Sequence, residues 1–467
     1  MKSKKKALLK NTFIVAIGQI CTKFITFFML PLYTSLLSAE EYGTVDLLQT
    51  FISLIIPIAF FEIDQAIFRF LIDTRKKEKL TERLISTSFF FVVFNSIIYL
   101  LIFLLFSFFV NNQYKYFLAS NVIIVMFSNL FLQICRGLGD NETYSIGSVI
   151  TGAGTIVLNV LFIAVLKYGA YGMLLANLFA NIFCIVFIFI KKRIYKLISI
   201  KKVTRSDLKK MLKYSLPLVP NHLSWWVINA SDRTIISIIL GIGINGIYSA
   251  VNKFSSILIT FFNIFNITWT ESVSLHFNES DISDYYSDVI NTTLKVFVSF
   301  CLIIIGLMPF FFKYLIVGEG YQSGYYQIPI LIIATVFNIS VSLFGSIYIA
   351  IKKSNEIAKT SFYAAFINIV VNLSLIKFIG LYAASISTLV AYMAMAIYRY
   401  FDAQKYVRIK LDFRFIGVSI IFSTIIILFY YLRNPYWCII GAGFSILFAI
   451  VYCKNIIKSL CRVFFKK

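Results

Sequence analysis

Several ionisable residues stand inside long apolar stretches of this sequence, where they could bind an anion or carry a proton. A charge at membrane depth costs about 3 kcal/mol on insertion scales, so it usually faces water, a partner or a ligand. The basic candidates for holding an anion are Lys23, Arg69, Arg233 and Lys253. The acidic candidates for coupling to an ion are Glu62, Asp64 and Asp232.

The same charged residues could instead have purely structural roles. Glu62 and Asp64 could be counter-ions of Lys23 or Arg233. Lys253 could extend to the membrane interface, and Arg69 could anchor lipid headgroups. Asp232 and Arg233 diverge by about 100° around a helix, so each needs a partner on another element. We therefore expect Arg233 to pair with a residue distant in sequence.

Uncharged polar residues accompany the charges at helical spacing. At about 100° per residue, they form stripes along four apolar segments. The first stripe holds Gln19, Lys23, Thr26 and Tyr33; later stripes hold Trp225, Asn229 and Asp232, then Asn252 and Asn263. We expect these stripes to line a central hydrated cavity, with Gln19, Trp225, Asn229, Asn252 and Asn263 as its polar and aromatic lining.

The elements that position these residues are membrane-spanning helices. The chain is 59% hydrophobic, and its apolar runs repeatedly reach the 18 residues or more that mark a span. We predict an all-α membrane protein with spans 1 to 14 at 9–37, 45–71, 84–110, 116–138, 145–166, 169–190, 214–240, 245–270, 289–315, 326–350, 357–378, 380–400, 413–432 and 437–454. Prolines at 31, 57, 217 and 220 predict interruptions in spans 1, 2 and 7.

Basic residues fix the predicted orientation. Of the 44 lysines and arginines, 35 fall on one side of this 14-span arrangement, which the positive-inside rule assigns to the cytoplasm. Both termini are then cytoplasmic. The net charge of +23 reflects orientation and anionic headgroups rather than nucleic-acid binding, because it lies in short loops beside the spans.

A weak internal repeat indicates two halves. Sliding the chain by 203 residues aligns Ile25 with Ile228 and Gly43 with Gly246. Two six-helix lobes related by a pseudo-two-fold axis are typical of transporters. We predict an N-terminal lobe at 1–190, a basic cytoplasmic linker at 191–213, a C-terminal lobe at 214–400, and helices 13 and 14 with a basic tail at 401–467.

Covalent and metal chemistry are disfavoured. The seven cysteines are scattered without a C-x-x-C pair, and there are two histidines, so a zinc site is not expected. No G-x-x-x-x-G-K-[ST] motif occurs for a nucleotide. We expect neither a metal nor a cofactor, and no enzymatic activity.

Several motifs together resemble the Wzx-type flippases of bacterial polysaccharide repeat units. The motifs are Tyr214–Asn221, Trp225-Trp226, Ser231-Asp232-Arg233, Gly246-Ile247-Tyr248, Glu41-Tyr42-Gly43, Gln65–Phe70, Asn368–Asn372 and Gly380–Ala384. This family is part of the superfamily of multidrug, oligosaccharidyl-lipid and polysaccharide exporters. The resemblance implies a multi-pass bacterial plasma-membrane protein that alternates between inward-open and outward-open states.

The resemblance also implies a substrate. An undecaprenyl-pyrophosphate-linked oligosaccharide would be flipped from the inner to the outer leaflet for capsule, O-antigen or exopolysaccharide synthesis. Lys23, Arg69, Arg233 and Lys253 would hold the pyrophosphate. The partners would be this substrate, membrane lipids and polysaccharide polymerase machinery.

Two other functions compete with this one. A cation-coupled multidrug exporter would share the fold, but it would carry more acids than bases among the buried charges. A membrane polysaccharide polymerase or glycosyltransferase would need a large outer loop or an acidic catalytic motif, and neither is found in the sequence. Transport could be driven by the membrane potential or by protons.

Overall fold

The structure is a computed structural model that describes residues 27–75, 77–109, 112–277, 282–351 and 353–465. Within these ranges the regular secondary structure is helical and includes no strand. The chain divides into two compact units, with unit 1 ending at Arg233 and unit 2 beginning at Thr234. Each unit is described separately below.

Unit 1 contains five described helices long enough to cross a membrane, together with several shorter ones. They are α1 (Leu30–Leu36), α2 (Ala39–Phe60), α3 (Ile63–Thr74), α4 (Glu78–Ser107), α5 (Lys115–Leu138), α6 (Asn141–Asn159), α7 (Gly169–Lys191), α8 (Ile194–Leu197), α9 (Arg205–Ser215) and most of α10 (Leu218–Ile239). A π-helical stretch over Val160–Val165 extends α6. A capping box between Ser38 and Glu41 begins α2, which fixes where the chain enters this helix.

Unit 2 begins within the last turns of α10 and is also helical. Its helices are α11 (Ile242–His276), α12 (Ile282–Leu315), α13 (Ile328–Ala350), α14 (Ser354–Ile379), α15 (Tyr382–Ala403), α16 (Phe413–Leu432) and α17 (Pro435–Phe465). A 3-10 segment over Glu319–Gln327 leads into α13. The last two helices, α16 and α17, pack against each other and against α12.

The helices confirm the all-α membrane fold. Among the described residues, eleven helices are long and apolar enough to cross a membrane. Two further helices, α10 and α15, coincide with predicted spans 7 and 12. Their sequences are more polar, and they are not among the eleven. Spans 3 to 14 thus each coincide with a helix, and span 2 coincides with two. Most of span 1 lies outside the described residues, and α1 covers its last part.

Span 2 is two helices rather than one. Phe61 and Glu62 separate α2 from α3, and both have φ near 54°, in the left-handed region. That conformation costs an L-residue about 1–2 kcal/mol. Pro57 lies one turn earlier, where its missing N–H weakens the helix, and its carbonyl accepts the N–H of Phe61 at 3.1 Å. The interruption predicted from Pro57 is confirmed, and it places Glu62 at the break.

The basic segment 191–213 is held against unit 1. Asp207 of α9 accepts hydrogen bonds from the guanidinium of Arg83, with the shorter at 2.7 Å. Lys202 contacts Glu82 at 2.6 Å, and the hydroxyl of Ser86 donates to the carbonyl of Leu197. These contacts connect the segment to the first turns of α4. The predicted linker is therefore an ordered part of unit 1.

A buried arginine ties three helices of unit 2 together. Arg399 of α15 is 2% exposed. Its guanidinium donates to the hydroxyl of Thr360 on α14 at 2.7 Å and to the carbonyl of Val341 on α13 at 2.9 Å. A buried guanidinium needs such acceptors, because leaving its donors unsatisfied would cost several kcal/mol. Arg399 therefore has a structural role in holding α13, α14 and α15 in register.

Candidate functional site

A line of polar side chains connects α2 and the break that follows it with α10. We call this line the polar seam, and all of its residues belong to unit 1. It consists of Asp46, Thr50 and Glu62 on one side and His222, Trp226 and Arg233 on the other. It brings together two of the predicted site residues, Glu62 and Arg233, with four others.

Arg233 lies at one end of the seam beside Asp46. Its Nε is 3.3 Å from Oδ2 of Asp46, and its Nη1 donates to the hydroxyl of Thr50 at 3.4 Å. The side chains of Arg233 and Asp46 are only 20% and 9% exposed, so their attraction is screened less than that of a surface pair. Nε of Arg233 is buried and forms no hydrogen bond with any described residue. The guanidinium therefore retains donor capacity for another acceptor.

Trp226 supports the middle of the seam. Its indole N–H donates to the backbone carbonyl of Thr50 at 2.9 Å. The hydroxyl of Thr50 in turn donates to the carbonyl of Asp46 at 2.8 Å, so Thr50 connects the tryptophan to the ion pair. Trp225 is adjacent and partly exposed. Two neighbouring indoles offer flat apolar faces with polar edges, a combination suited to sugar rings.

Glu62 and His222 meet at the other end. Oε1 of Glu62 is 3.1 Å from Nδ1 of His222. The carboxyl side chain is 6% exposed, whereas the imidazole side chain is 53% exposed. A buried carboxyl beside a half-exposed imidazole can exchange a proton with solvent through the ring. Asp64 is buried nearby on α3 and accepts a hydrogen bond from the amide of Gln65 at 3.0 Å.

The remaining predicted residues occupy other positions. Arg69 pairs with Asp73 one turn along α3 at 2.8 Å, and both side chains are about half exposed or more. Asp232 is buried on α10. In unit 2, Asn252 and Lys253 are partly buried on α11, and Asn263 is exposed. Gln19 and Lys23 lie outside the described residues, as does the side chain of Asn229.

Two polar residues have partners other than those considered from the sequence. Tyr33 was expected in a stripe facing a hydrated cavity, but it is 4% exposed and its hydroxyl accepts a hydrogen bond from Asn159 of α6 at 2.8 Å. Tyr33 is therefore buried against α6 inside unit 1 rather than exposed to a hydrated cavity. Glu62 and Asp64 were considered as counter-ions of Lys23 or Arg233; the carboxylate beside Arg233 is Asp46, and Lys23 lies outside the described residues.

Asp46 and Thr50 escaped the sequence reasoning. Asp46 appeared to lie at the very end of span 2, predicted to begin at residue 45, where a carboxylate needs no explanation. The helix instead begins at Ala39, which places Asp46 about two turns inside it. The capping signal Ser38 followed by Glu41 could have located that start.

The described residues offer no site for a metal ion. Among them, no group of three or more His, Cys, Asp or Glu side chains is placed to hold one. The seam residues contact one another through hydrogen bonds and ion pairs.

The sequence itself identifies the family. Residues 8–269 match the family described as polysaccharide biosynthesis protein. This match covers more than half of the chain and contains the whole polar seam. The chain belongs to the polysaccharide biosynthesis protein family. The family resemblance expected from the motifs is thereby confirmed.

Solved structures show the same fold at low sequence identity. A structure described as lipid II flippase MurJ in an inward closed conformation has a TM-score of 0.69 at 16% identity, over 96% of this chain and 99% of that one. An inward-facing multidrug resistance MATE family transporter has a TM-score of 0.67, also at 16% identity, over 84% and 97%. No curated protein sequence matches the chain. The chain therefore shares the all-α membrane fold of these two solved structures.

Proposed function

We propose that this protein flips undecaprenyl-pyrophosphate-linked oligosaccharide repeat units from the inner to the outer leaflet of a bacterial plasma membrane. The product would serve capsule, O-antigen or exopolysaccharide synthesis. Transport would proceed by alternating access, without covalent catalysis. The single observation that carries the proposal is the polar seam, because it places hydrogen-bonding and ionic groups at membrane depth within the part of the chain that matches the family.

The physical need for such a seam is clear. A sugar chain cannot cross about 30 Å of hydrocarbon unaided, because each unsatisfied polar group costs several kcal/mol. Trp225 and Trp226 offer stacking surfaces for sugar rings, and the donors of Arg233 offer a site for a phosphate. The prenyl chain would remain in the lipid while the head group passes along the seam.

The cationic residues have assigned roles in this proposal. Arg233 would exchange Asp46 for the pyrophosphate, since a guanidinium binds either anion. Lys23 and Lys253 would contribute further positive charge. Arg69, which pairs with Asp73 near the helix end, would attract the head group at the inner surface. The polar residues Gln19, Asn229, Asn252 and Asn263 would hydrogen-bond to sugar hydroxyls.

Orientation and energy source complete the proposal. With both termini in the cytoplasm, the basic loops face anionic headgroups and the inside-negative potential favours outward movement of an anion. That contribution is about 2.3 kcal/mol per charge per 100 mV. Glu62, Asp64 and Asp232 would add proton coupling, for which the contact between Glu62 and His222 offers an exchange route. Polysaccharide polymerase machinery would receive the flipped unit.

The test measures where lipid-linked repeat units accumulate. Deleting the gene should leave these intermediates on the inner leaflet and remove surface glycan, and the wild-type gene should restore both. Arg233→Ala and Lys23→Ala should each fail to restore surface glycan at equal protein level. Arg205→Ala removes an exposed cation outside the seam and should restore it fully.

Two outcomes would reject parts of this proposal. Finding no accumulated lipid-linked intermediate after deletion would favour the multidrug exporter of the same fold, in which case drug sensitivity should rise instead. Normal surface glycan with both Arg233→Ala and Lys23→Ala would remove these residues from substrate binding. A polymerase would be indicated if flipped single repeat units accumulated on the outer leaflet.

A further inference from the structure

Unit 2 contains a partly open apolar cavity that the proposed transport cycle does not use. It has a volume of about 590 Å³ and lies among α12, α13, α15 and α16. Its lining is almost wholly aliphatic and aromatic. Two of its few hydroxyls, on Ser340 and Ser419, already donate to backbone carbonyls one turn earlier in their own helices. Such a cavity attracts hydrocarbon rather than water or sugar.

The depth of the cavity matches one leaflet. Its lining on α16 runs from Phe413 to Ser423, and on α12 from Leu294 to Ile305. These stretches of 11 and 12 helical residues span about 15–17 Å, roughly half of the 30 Å hydrocarbon core. Leu294 and Phe413, where the two stretches start, lie at the same end of the cavity, and Leu411 also lines this end. A single acyl chain entering from that end fits this depth, whereas a much longer polyprenyl chain does not.

The chain at this end is fixed in place by α12. Asn291 donates to the carbonyl of Lys410 at 2.8 Å and accepts the N–H of Asp412 at 2.9 Å. The hydroxyl of Ser287 accepts the N–H of Lys410 at 2.9 Å. Lys295 pairs with the carboxylate of Asp412 at 2.8 Å, directly beside the lining residues Leu411 and Phe413. The cavity therefore has an ordered polar rim.

This rim is predominantly basic. The segment from Gln404 to Arg414 carries four basic residues and one acidic residue. Lys410 pairs with Asp284 of α12, while the side chains of Arg408 and Arg414 are exposed. Basic groups beside an apolar cavity at the cytoplasmic side of a membrane protein are suited to the phosphate of an anionic lipid. Arginine is especially suited, because its fork of donors matches phosphate oxygens.

We propose that this cavity binds one acyl chain of an anionic glycerophospholipid from the cytoplasmic leaflet, with the lipid phosphate held by Arg408 and Arg414. The assignment uses the membrane orientation proposed above but does not depend on the transported substrate. A bound lipid would fill the space between α16 and the helices α13 and α15. It would make the stability of unit 2 depend on membrane composition.

Photochemical labelling tests the site directly. The full chain is reconstituted in phosphatidylcholine nanodiscs that contain a trace of phosphatidylglycerol with a diazirine on one acyl chain, and labelled peptides are mapped. Labels should concentrate on α12 and α16. Combining Arg408→Ala with Arg414→Ala should lower phosphatidylglycerol labelling about fivefold or more, since each cation near an anionic surface contributes about 1 kcal/mol. Labelling by the matching phosphatidylcholine probe should not change.

Matched variants separate the cavity from its surroundings. Ser423→Phe fills the cavity and should reduce labelling, whereas Thr424→Phe adds the same ring one residue later, outside the lining, and should not. Arg205→Ala serves as the control for general attraction to anionic lipid. Equal labelling by both lipids, unchanged in the arginine variants, would overturn the proposal. Displacement of the label by undecaprenyl phosphate but not by unlabelled phosphatidylglycerol would assign the cavity to the carrier lipid and overturn it as well.

These readouts are independent of the transport assay. Normal surface glycan in Arg233→Ala would count against the proposed role of Arg233 in binding substrate and leave the lipid labelling untouched. Conversely, loss of labelling specificity would reject the lipid site without bearing on which substrate is flipped. The two proposals can therefore fail separately.

Discussion

Arg233 of α10 and Asp46 of α2 are 187 positions apart in sequence and form an ion pair, with 3.3 Å between Nε and Oδ2. Both are largely buried, in a protein whose helices are long enough to cross a membrane. The pair has a second connection, because Thr50 contacts both Arg233 and the carbonyl of Asp46. An interaction of this kind can hold two helices together and can also be exchanged for an anionic ligand.

Reversing the pair separates these two roles. Arg233→Gln or Asp46→Asn alone leaves one charge uncompensated at membrane depth, which should destabilise the protein by about 3 kcal/mol. The double variant Asp46→Arg with Arg233→Asp restores a pair and should recover most of the thermal stability measured in detergent. It should not recover surface glycan, because the cation then lies on the wrong helix for the substrate.

Recovery of both properties would show that Arg233 serves only to pair with Asp46. A control is available at the surface, where Arg69 and Asp73 form an exposed pair. Reversing that pair should change the melting temperature little, because exposed ion pairs contribute about 0–1 kcal/mol.

The contact between Glu62 and His222 predicts a role in coupling. If protons cross at this point, Glu62→Gln should abolish the stimulation of flipping by an imposed pH gradient in proteoliposomes, because the amide cannot take up a proton. His222→Asn should weaken the same stimulation, because the buried carboxyl loses its connection to solvent. Stimulation by a membrane potential should persist in both variants.

Asp73→Asn is the matched control, since it removes an exposed carboxylate from α3. Undiminished pH-gradient stimulation in Glu62→Gln would exclude Glu62 from proton coupling. Its contact with His222 would then be a structural one that closes the break between α2 and α3.

Hydropathy predicted the helices well but could not reveal the break. Spans 3 to 6, 8 to 11, 13 and 14 coincide with single helices because each is a long apolar run, and such runs have one stable structure in lipid. The interruption at Phe61 and Glu62 depends on two backbone dihedral angles, which average hydropathy does not record. Pro57 was the sequence signal that an interruption was near.

The sequence predicted that Arg233 needs a partner on another helix, but not which residue that partner is. The expectation that Arg233 needs a partner on another element follows from helical geometry, and Asp46 satisfies it. Which carboxylate fills that place depends on how α2 and α10 face each other, and periodicity within one helix does not contain that information. The same limit explains Tyr33, whose partner Asn159 lies on a different helix.

Asp412 should make stability depend on pH. The hydrogen bond from Lys295, followed by that from the backbone N–H of Phe415, lowers the pKa of this carboxyl below its usual value of 3.8. A lowered pKa stabilises the folded state above the unfolded pKa, and the stabilisation is lost as pH falls through the folded pKa. The difference in melting temperature between wild type and Asp412→Asn should therefore be constant from about pH 7 to 5 and shrink below about pH 4.

The control for this measurement is Asp284→Asn. Asp284 pairs with Lys410 at the same end of α12, but its side chain is 77% exposed, so its removal should change the melting temperature little at pH 7. If the difference in melting temperature between wild type and Asp412→Asn is as large at pH 3 as at pH 7, the ion-pair interpretation is contradicted.

Close packing of α5 on α3 gives a test of the fold of unit 1. A Cβ added at Gly137 of α5 would lie 2.8 Å from Cβ of Leu71 and 3.3 Å from the carbonyl oxygen of Phe68, so the two helices would have to separate. Such overpacking costs about 1–3 kcal/mol. Gly417 of α16 is the matched control, because its added Cβ would meet nothing within 4 Å. Gly137→Ala should lower the melting temperature in detergent, whereas Gly417→Ala should leave it unchanged or raise it, since alanine favours a helix by up to about 1 kcal/mol over glycine.

Equal melting temperatures for Gly137→Ala and wild type would mean that α3 and α5 lie farther apart than described, and the placement of Glu62 by α3 would need revision.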